Sequence, residues 1–188
     1  MIPEILLSLL VGIALAAACG LRIFVPLLAL SAAAHFGHFA LSPGFAWLGS
    51  WGALIALAAA TVVEIVSYHV PWLDHLLDVA GAPLAVAAGV IVMAASMDQV
   101  SPFVRWALAV LAGGGVAGLF QALTGMTRLG STMMTGGAGN PVFASAESGS
   151  AIVVSILAIV IPLLALLALV LLGAFALRRG LRLLGGRG

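Results

Sequence analysis

Long apolar stretches separated by short polar segments recur along the whole chain. The first stretch, Ile2–Phe36, is followed by four others that are long enough, or nearly so, to cross a lipid bilayer as helices of about 20 residues. The pattern predicts an all-α, polytopic transmembrane helix bundle. The four later stretches are Trp47–His69, Pro83–Met97, Phe103–Thr124 and Ser150–Leu177.

The first stretch is too long for one upright helix and too short for two helices with an ordinary turn. Gly20 and Pro26 indicate where it breaks, because glycine loosens a helix and proline removes a backbone donor. We therefore expect a broken or re-entrant helix between Ile2 and Phe36. In the last stretch, Pro162 predicts a kink.

The composition narrows the class of protein further. Hydrophobic residues make up 64% of the chain and charged residues 7%, whereas about a quarter of the residues in soluble proteins are charged. The basic residues are seven arginines and no lysine, which excludes a P-loop lysine and a lysine general base. The net charge of +1 provides no basic face for nucleic acid. Cys19 is the only cysteine, which excludes an intramolecular disulfide and a multi-thiolate metal site.

Arginine placement predicts how the helices are oriented. Four arginines crowd the C-terminus, which places that end in the cytoplasm of a bacterial inner membrane. Counting back through the predicted helices puts Met126–Gly149 and Val70–Ala82 outside, and leaves the side of the N-terminus open. Glu4 replaces the positive region of a signal peptide, so we expect no cleavable leader. The four arginines are Arg178, Arg179, Arg182 and Arg187.

The segment Gln121–Ser148 is rich in glycine, threonine and methionine. It is too apolar for an exposed loop and too rich in glycine for a stable helix, so we expect irregular backbone that lines a cavity at membrane depth. Its GGAGNP text has two interpretations, a filter or substrate loop and a simple turn. The residues concerned are Gly136, Gly137, Gly139, Asn140 and Pro141.

A faint internal repeat suggests how the chain is organised. Gly20–Arg22 is echoed by Met126–Arg128, and the helix start Gly49–Val63 by Gly149–Ile161. The chain would then be one membrane domain, 1–188, with halves 1–100 and 101–188, the second inverted as in many secondary transporters. Alanine- and leucine-rich text can imitate a repeat, so duplication stays one of two interpretations.

Two charged residues within the apolar stretches are the main candidates for function. An arginine at a helix centre costs about 2.5–3.5 kcal/mol, so Arg22 should face a partner or water. It bonds carbonyls freed by the break at Gly20, or extends to an interface if the first stretch is re-entrant, or binds an oxyanion or lipid phosphate, as a guanidinium does well. Glu64 is either a structural ion-pair or headgroup acid, or a protonatable coupling site, and Arg22 and Arg128 are its candidate partners.

A polar cluster follows the second stretch. His69, Asp74, His75 and Asp78 lie among Trp and Leu residues in a pattern typical of a short helix at the membrane interface. The same acids and histidine allow a divalent-metal site, which is the less favoured interpretation. No protease, hydrolase or P-loop motif is present. We therefore expect no enzyme activity, no cofactor and no resident metal.

Two further features have simple structural explanations. Gly114 and Gly118 form a small-xxx-small spacing that predicts a helix-packing seam and allows a homo-oligomer. Glu147 is expected near the N-terminus of the last helix, where the helix dipole favours an acid.

Three motifs resemble a bacterial integral-membrane family known only as domain of unknown function 4126. They are GLRIFVP (Gly20–Pro26), the stretch from Glu64 to Asp78 that contains PWLDHLLD, and GGAGNPVFASAES (Gly136–Ser148). The resemblance covers nearly the whole chain and implies a membrane protein, but no activity. Tyr68 and His69 replace the charged residues that often precede the proline of the second motif, so a charge relay through those positions is not expected.

Taken together, these features predict a transporter or channel-like protein for a small anion or a lipid-phosphate head group. Its pathway would be lined by Arg22, Glu64, Arg128 and the Gly136–Pro141 loop. The alternatives are a scaffolding membrane protein, whose charges only hold broken helices together, and a metal-dependent membrane enzyme acting through Asp74, His75 and Asp78. Membrane lipids are the other expected partners.

Overall fold

The structure is a computed structural model that describes residues 2–67 and 71–185. Within these ranges the regular secondary structure is entirely helical, so the predicted all-α class is confirmed. Two of the helices are long and apolar enough to cross a membrane, Pro102–Thr135 and Asn140–Val160. The helices are α1 (Ile2–Cys19), α2 (Phe24–His35), α3 (Trp51–Ser67), α4 (Pro71–Ser96), α5 (Pro102–Thr135), α6 (Asn140–Val160) and α7 (Pro162–Gly185).

The first apolar stretch breaks where Gly20 predicts it. α1 ends at Cys19 and α2 begins at Phe24. A Cβ on Gly20 would lie 2.5 Å from the carbonyl oxygen of Ala117, so only glycine allows α5 to approach the break this closely. Pro26 is not at the break but in the first turn of α2, where its missing N–H costs nothing.

α1 and α2 run in opposite directions. Ile13 of α1 packs on the cluster that contains Met97, close to the end of α4. Ser42, in the loop after α2, donates its N–H to the carbonyl of Ala95 at 2.9 Å and its hydroxyl to the carbonyl of Ala94 at 2.8 Å. The chain therefore returns to the end of the bundle from which α1 starts, and the break between the two helices points into the interior.

α5 runs along the bundle and provides names for its two ends. Arg105 lies in its first turns and donates a hydrogen bond from Nε to the carbonyl of Met97 at 2.8 Å, while Arg128 lies toward its C-terminal end. We call these the Arg105 end and the Arg128 end. A π-helical turn, Ala109–Gly114, interrupts α5 without ending it. The α1–α2 hairpin opens toward the Arg105 end.

The predicted packing seam on α5 is confirmed, and its partner is α4. A Cβ on Gly113 would lie 2.6 Å from the carbonyl oxygen of Gly89, so the two helices touch through their backbones. Gly114 and Gly118 face Val86 on the same helix. Because the seam is used inside the chain, it is not available to support a homo-oligomer.

α4 differs from the two elements that the sequence predicts for this region. A short interfacial helix and a separate helix beginning at Pro83 are replaced by one continuous helix, Pro71–Ser96, with Pro83 inside it. Proline removes one backbone hydrogen bond, which is not enough to end a helix whose next turns pack into the core through Ala85 and Ala88.

The prediction of irregular backbone across Gln121–Ser148 is wrong over most of that range. α5 continues to Thr135, and only a four-residue turn, 136–139, separates it from α6. Gly136 and Gly137 supply the turn with φ values of 62° and 91°. The helix holds despite its glycines because Arg128 and Ser131 are buried against neighbouring helices, and packing outweighs intrinsic propensity.

The last predicted helix is two helices. α6 ends at Val160, Ile161 is extended, and α7 begins at Pro162, so the proline marks a reversal rather than a kink. Phe143 of α6 and Gly173 of α7 line the same cavity, so the two helices run antiparallel. The turn 136–139 and the C-terminal end of α7 therefore lie at the same end of the bundle, whereas the sequence placed Met126–Gly149 and the C-terminus on opposite sides.

The two copies of the suggested repeat differ in local structure. Gly20–Arg22 lies in the break between α1 and α2, while Met126–Arg128 lies inside α5. The similarity of the two texts is therefore not matched by their backbones.

Candidate functional site

Arg22 and Arg128 converge on the carboxylate of Glu147. Arg22, in the break, is 1% exposed and places Nη2 3.5 Å from Oε2 of Glu147. Arg128 of α5 donates from Nε to Oε1 at 3.2 Å and from Nη2 to Oε2. Glu147 therefore bridges two buried guanidinium groups, and together these residues hold α5, α6 and the break in one arrangement.

Arg22 makes further contacts with α6. Its Nε donates to Oγ of Ser148 at 2.8 Å, and its Nη2 donates to the carbonyl of Ala144 at 2.7 Å. The sequence interpretation in which Arg22 bonds carbonyls within its own break does not describe these contacts. The guanidinium instead ties the break to a different helix.

Glu64 supports the break from the other side. It extends from α3, is 4% exposed, and accepts hydrogen bonds from the N–H groups of Ile23 at 2.7 Å and Phe24 at 3.0 Å. These amides belong to the start of α2, where backbone donors lack helical partners and the helix dipole favours a negative charge. A side chain from another helix thus performs the role of an N-cap.

The four charges balance one another within the protein. Arg22 and Arg128 attract Glu64 electrostatically as well as Glu147, and all four residues are buried. Each charge would be expensive to bury alone, but two cations and two anions form a neutral group. We call Arg22, Glu64, Arg128 and Glu147 the charge cluster.

Glu147 also lines a cavity of about 290 Å³ between α5, α6 and α7. A second cavity of about 370 Å³ continues along α5 and α7 and is lined entirely by apolar residues and a glycine. The two cavities share Phe120, Leu123 and Gly173, so they form one continuous depression. We call it the α5–α7 groove. Through Glu147, the groove lies next to the charge cluster.

The residues of the GGAGNP text form a turn at the Arg128 end. The amide of Asn140 donates to the hydroxyl of Thr132 at 3.1 Å, and Pro141 lies at the start of α6. Gly136, Gly137 and Gly139 belong to the same turn, and none of these residues lines either described cavity. The turn interpretation therefore describes their geometry, and the structure does not bring them to the charge cluster.

A comparison with known families matches residues 9–180 to the family described as Domain of unknown function (DUF4126). The chain belongs to this family. The matched range contains the whole charge cluster and the groove residues of α5 and α6. Searches of curated proteins and of solved structures each found no match.

The predicted interfacial polar site of this DUF4126 chain lies largely outside the side chains that the structure describes. His69 lies outside the described residues, and Asp74, His75 and Asp78 belong to α4, with side chains outside those that are described. Among the residues that are described, no group of three His, Cys, Asp or Glu side chains could hold a metal ion.

Sequence reasoning missed two sets of buried contacts in this DUF4126 chain. Glu147 was expected as a dipole-favoured acid, yet it lies two turns into α6 and is the central anion of the cluster. The signal was present in the specific GNP-plus-Glu text. Arg105 donates to the carbonyls of Met97, Asp98 and Val100 at 2.8, 3.3 and 3.4 Å, and no pattern in the sequence predicts this.

Proposed function

We propose that this protein is a multi-pass protein of the bacterial inner membrane that carries an anionic group, either a small oxyanion or a lipid-phosphate head. The observation that carries the proposal is the bridging of Arg22 and Arg128 by Glu147 at the edge of the α5–α7 groove. Two guanidinium groups that share one replaceable carboxylate are suited to binding an oxyanion.

A membrane environment is supported by the outward-facing side chains. Large apolar residues are exposed on α3 at Val62, Val63 and Val66, and on α7 at Leu163 and Leu167. Such surfaces are stable in lipid and are rarely this extensive on soluble monomers. Exposed aromatic side chains gather at the Arg105 end, as in the aromatic belt of a membrane interface. These are Trp47, Trp51, Phe103 and Trp106.

The arginines support an orientation. The C-terminal end of α7 lies at the Arg128 end and carries Arg178, Arg179 and Arg182, so the positive-inside rule favours a cytoplasmic Arg128 end. The α1–α2 hairpin then enters from the opposite side as a re-entrant element. Irregular backbone such as its break is tolerated at membrane depth where protein surrounds it.

The proposed binding step is an exchange of anions at the cluster. An incoming oxyanion takes the place of the Glu147 carboxylate between Arg22 and Arg128 and accepts their hydrogen bonds. Glu64 stays on the backbone of the break and keeps Arg22 in place. The exchange replaces one anion by another between the same two guanidinium groups.

A flux assay in proteoliposomes tests this proposal. Anion uptake by the wild type is compared with uptake by Arg128→Gln and Arg22→Gln, and we expect both variants to lose at least about tenfold in rate, the effect of removing one charged hydrogen bond. Arg105→Gln is the matched control, because Arg105 is similarly buried but bonds only carbonyls at the other end in the described contacts. Unchanged uptake in both cluster variants, with folded protein verified, contradicts the proposal.

A scaffolding role is the second candidate, and the contacts of Glu64 and Arg22 with backbone atoms favour it. In that role the charges only hold the break between α1 and α2. The double variant Arg128→Met, Glu147→Gln removes one charge of each sign at similar volume. A folded double variant that keeps the protein's cellular role supports scaffolding, and one that folds but loses the role supports carriage.

A further inference from the structure

We propose that the α5–α7 groove binds one hydrocarbon chain of a membrane lipid whose phosphate head takes the place of the Glu147 carboxylate beside Arg128. This inference rests on the proposed function and narrows its substrate class from any anionic group to an amphiphile. The groove binds the hydrocarbon chain of the lipid, and the charge cluster binds its phosphate head.

The length and shape of the groove fit a chain. Its α5 wall runs from Val116 to Thr127, which is roughly 16 Å at about 1.5 Å per residue. Gly173 on α7 has no side chain to fill the space, and a Cβ there would lie 3.7 Å from Cζ of Phe120. The groove is thus an elongated channel on the side of the bundle and not a compact pocket.

The polarity of the groove changes along its length. Near Val116 and Leu166 its walls are apolar, whereas Thr124, Thr127 and Glu147 line the opposite part. A molecule that matches both parts has an apolar body and one polar end. Burying hydrocarbon in the first part is favourable, and the second part places a polar head group beside hydroxyl and carboxylate oxygens.

The arginine behind the polar end is suited to a phosphate. Glu147 lines the groove and Arg128 pairs with it from behind, so a phosphate head that takes the place of the Glu147 carboxylate meets a guanidinium whose fork matches its oxygens. A free inorganic anion could use the same fork, but it gains nothing from the apolar length that leads to it. The apolar length together with the charged end points to a lipid.

Native mass spectrometry of the purified full-length protein tests this assignment with three probes. Palmitoyl lysophosphatidic acid has one chain and a phosphate, monopalmitoylglycerol has the same chain without the phosphate, and inorganic phosphate has no chain. We expect only the first probe to bind tightly, and neither of the others to displace it at matched concentration.

Groove-filling variants supply the structural control. Gly173→Phe occupies the space shared by both cavities and should weaken lysophosphatidic acid binding roughly tenfold to fiftyfold, as expected for displacing two or three methylene groups. Gly149→Phe adds the same side chain at an exposed position of α6 where nothing lies within 4 Å, and should bind like the wild type. Gly173→Ala, the least disturbing change, should give a smaller loss if the larger variant does not fold.

The outcomes separate this inference from the proposed function. Equal lipid binding in wild type and folded Gly173→Phe overturns the groove assignment, as does tight binding of monopalmitoylglycerol or displacement by inorganic phosphate. A dimeric wild type and a monomeric Gly173→Phe, with lipid binding unchanged, would show instead that a second copy covers the groove. In each of these cases anion flux that depends on Arg22 and Arg128 would still support the proposed function.

Discussion

Arg22, in the break between α1 and α2, lies 3.5 Å from the carboxylate of Glu147 in α6. The two residues are far apart in sequence and belong to different helical units, so their contact fixes the position of the break relative to α6. Because Arg128 pairs with the same carboxylate, Glu147 is the residue on which the cluster depends. Its removal should therefore have the largest effect of any single change in the cluster.

Glu147→Gln should destabilise the protein by about 3–5 kcal/mol, the typical cost of leaving a buried charge without its partner. The change leaves Arg22 and Arg128 with Glu64 as the remaining anion of the charge cluster. The measurement is thermal and denaturant unfolding in detergent, monitored by the loss of the helical circular dichroism signal.

The double variant Arg128→Gln, Glu147→Gln is the control for this prediction. It restores the balance of charge, with Arg22 opposite Glu64, and should be more stable than Glu147→Gln alone. A double variant as unstable as the sum of the two single variants would show that charge balance is not what Glu147 contributes.

Glu64→Gln should loosen the start of α2 in particular. The amide keeps one acceptor oxygen but turns a donor toward the N–H of Ile23 or Phe24, so one of these bonds is lost. Losing a charged hydrogen bond of about 1.5–3 kcal/mol corresponds to at least about tenfold faster local exchange. Hydrogen–deuterium exchange of the peptide that covers the break measures this.

Glu4→Gln provides the comparison for Glu64→Gln. It makes the same chemical change at an exposed position in the first turn of α1, and exchange at the break should not respond. Equal exchange at the break in all three proteins would contradict the capping role of Glu64.

Gly89→Ala should separate α4 from α5. The new Cβ would lie 2.5 Å from Cβ of Ala117 and 2.7 Å from the carbonyl oxygen of Gly113, so the helices must move apart. Overpacking of this kind costs about 1–3 kcal/mol. Unfolding temperature in detergent is the measurement.

Gly125→Ala is the matched change, because nothing lies within 4 Å of the Cβ that it adds to α5. Alanine is the better helix former by up to about 1 kcal/mol, so this variant should be slightly more stable than the wild type. Stabilisation by both substitutions would contradict the close approach of α4 and α5.

The features that follow from local chemistry were accessible from the sequence. The break at Gly20 was predicted from the glycine itself, whereas Pro162 was predicted as a kink and instead lies at a reversal between two helices. The cost of leaving a charge in an apolar environment indicated that Arg22 faces a partner or water, whereas Glu64 was equally compatible with a position near the headgroups. These predictions needed no knowledge of neighbouring helices.

The features that depend on packing were not accessible. Gly125 and Gly130 lie inside α5 because burial of Arg128 and Ser131 outweighs the low helix propensity of the segment. The reversal at Ile161 turned one predicted helix into two and changed the relative position of every earlier loop. The acid that pairs with Arg22 could not be identified from the sequence either. Only the fold shows which of the two buried acids, Glu64 or Glu147, lies next to its guanidinium.

The reversal at Ile161 leads to a prediction about sidedness. The turn 136–139 and the C-terminal end of α7 lie at one end of the bundle, and Ser50, before α3, lies at the other. In intact cells, a membrane-impermeant thiol reagent should label Ser50→Cys and leave Ala138→Cys and Arg178→Cys unlabelled, while inverted vesicles should show the opposite. Cys19 is fully buried and should contribute no labelling, which a Cys19→Ala background verifies. Labelling of Ala138→Cys and Arg178→Cys from opposite sides would contradict the reversal at Ile161 and indicate one continuous last helix. It would also place the charge cluster away from the cytoplasmic end.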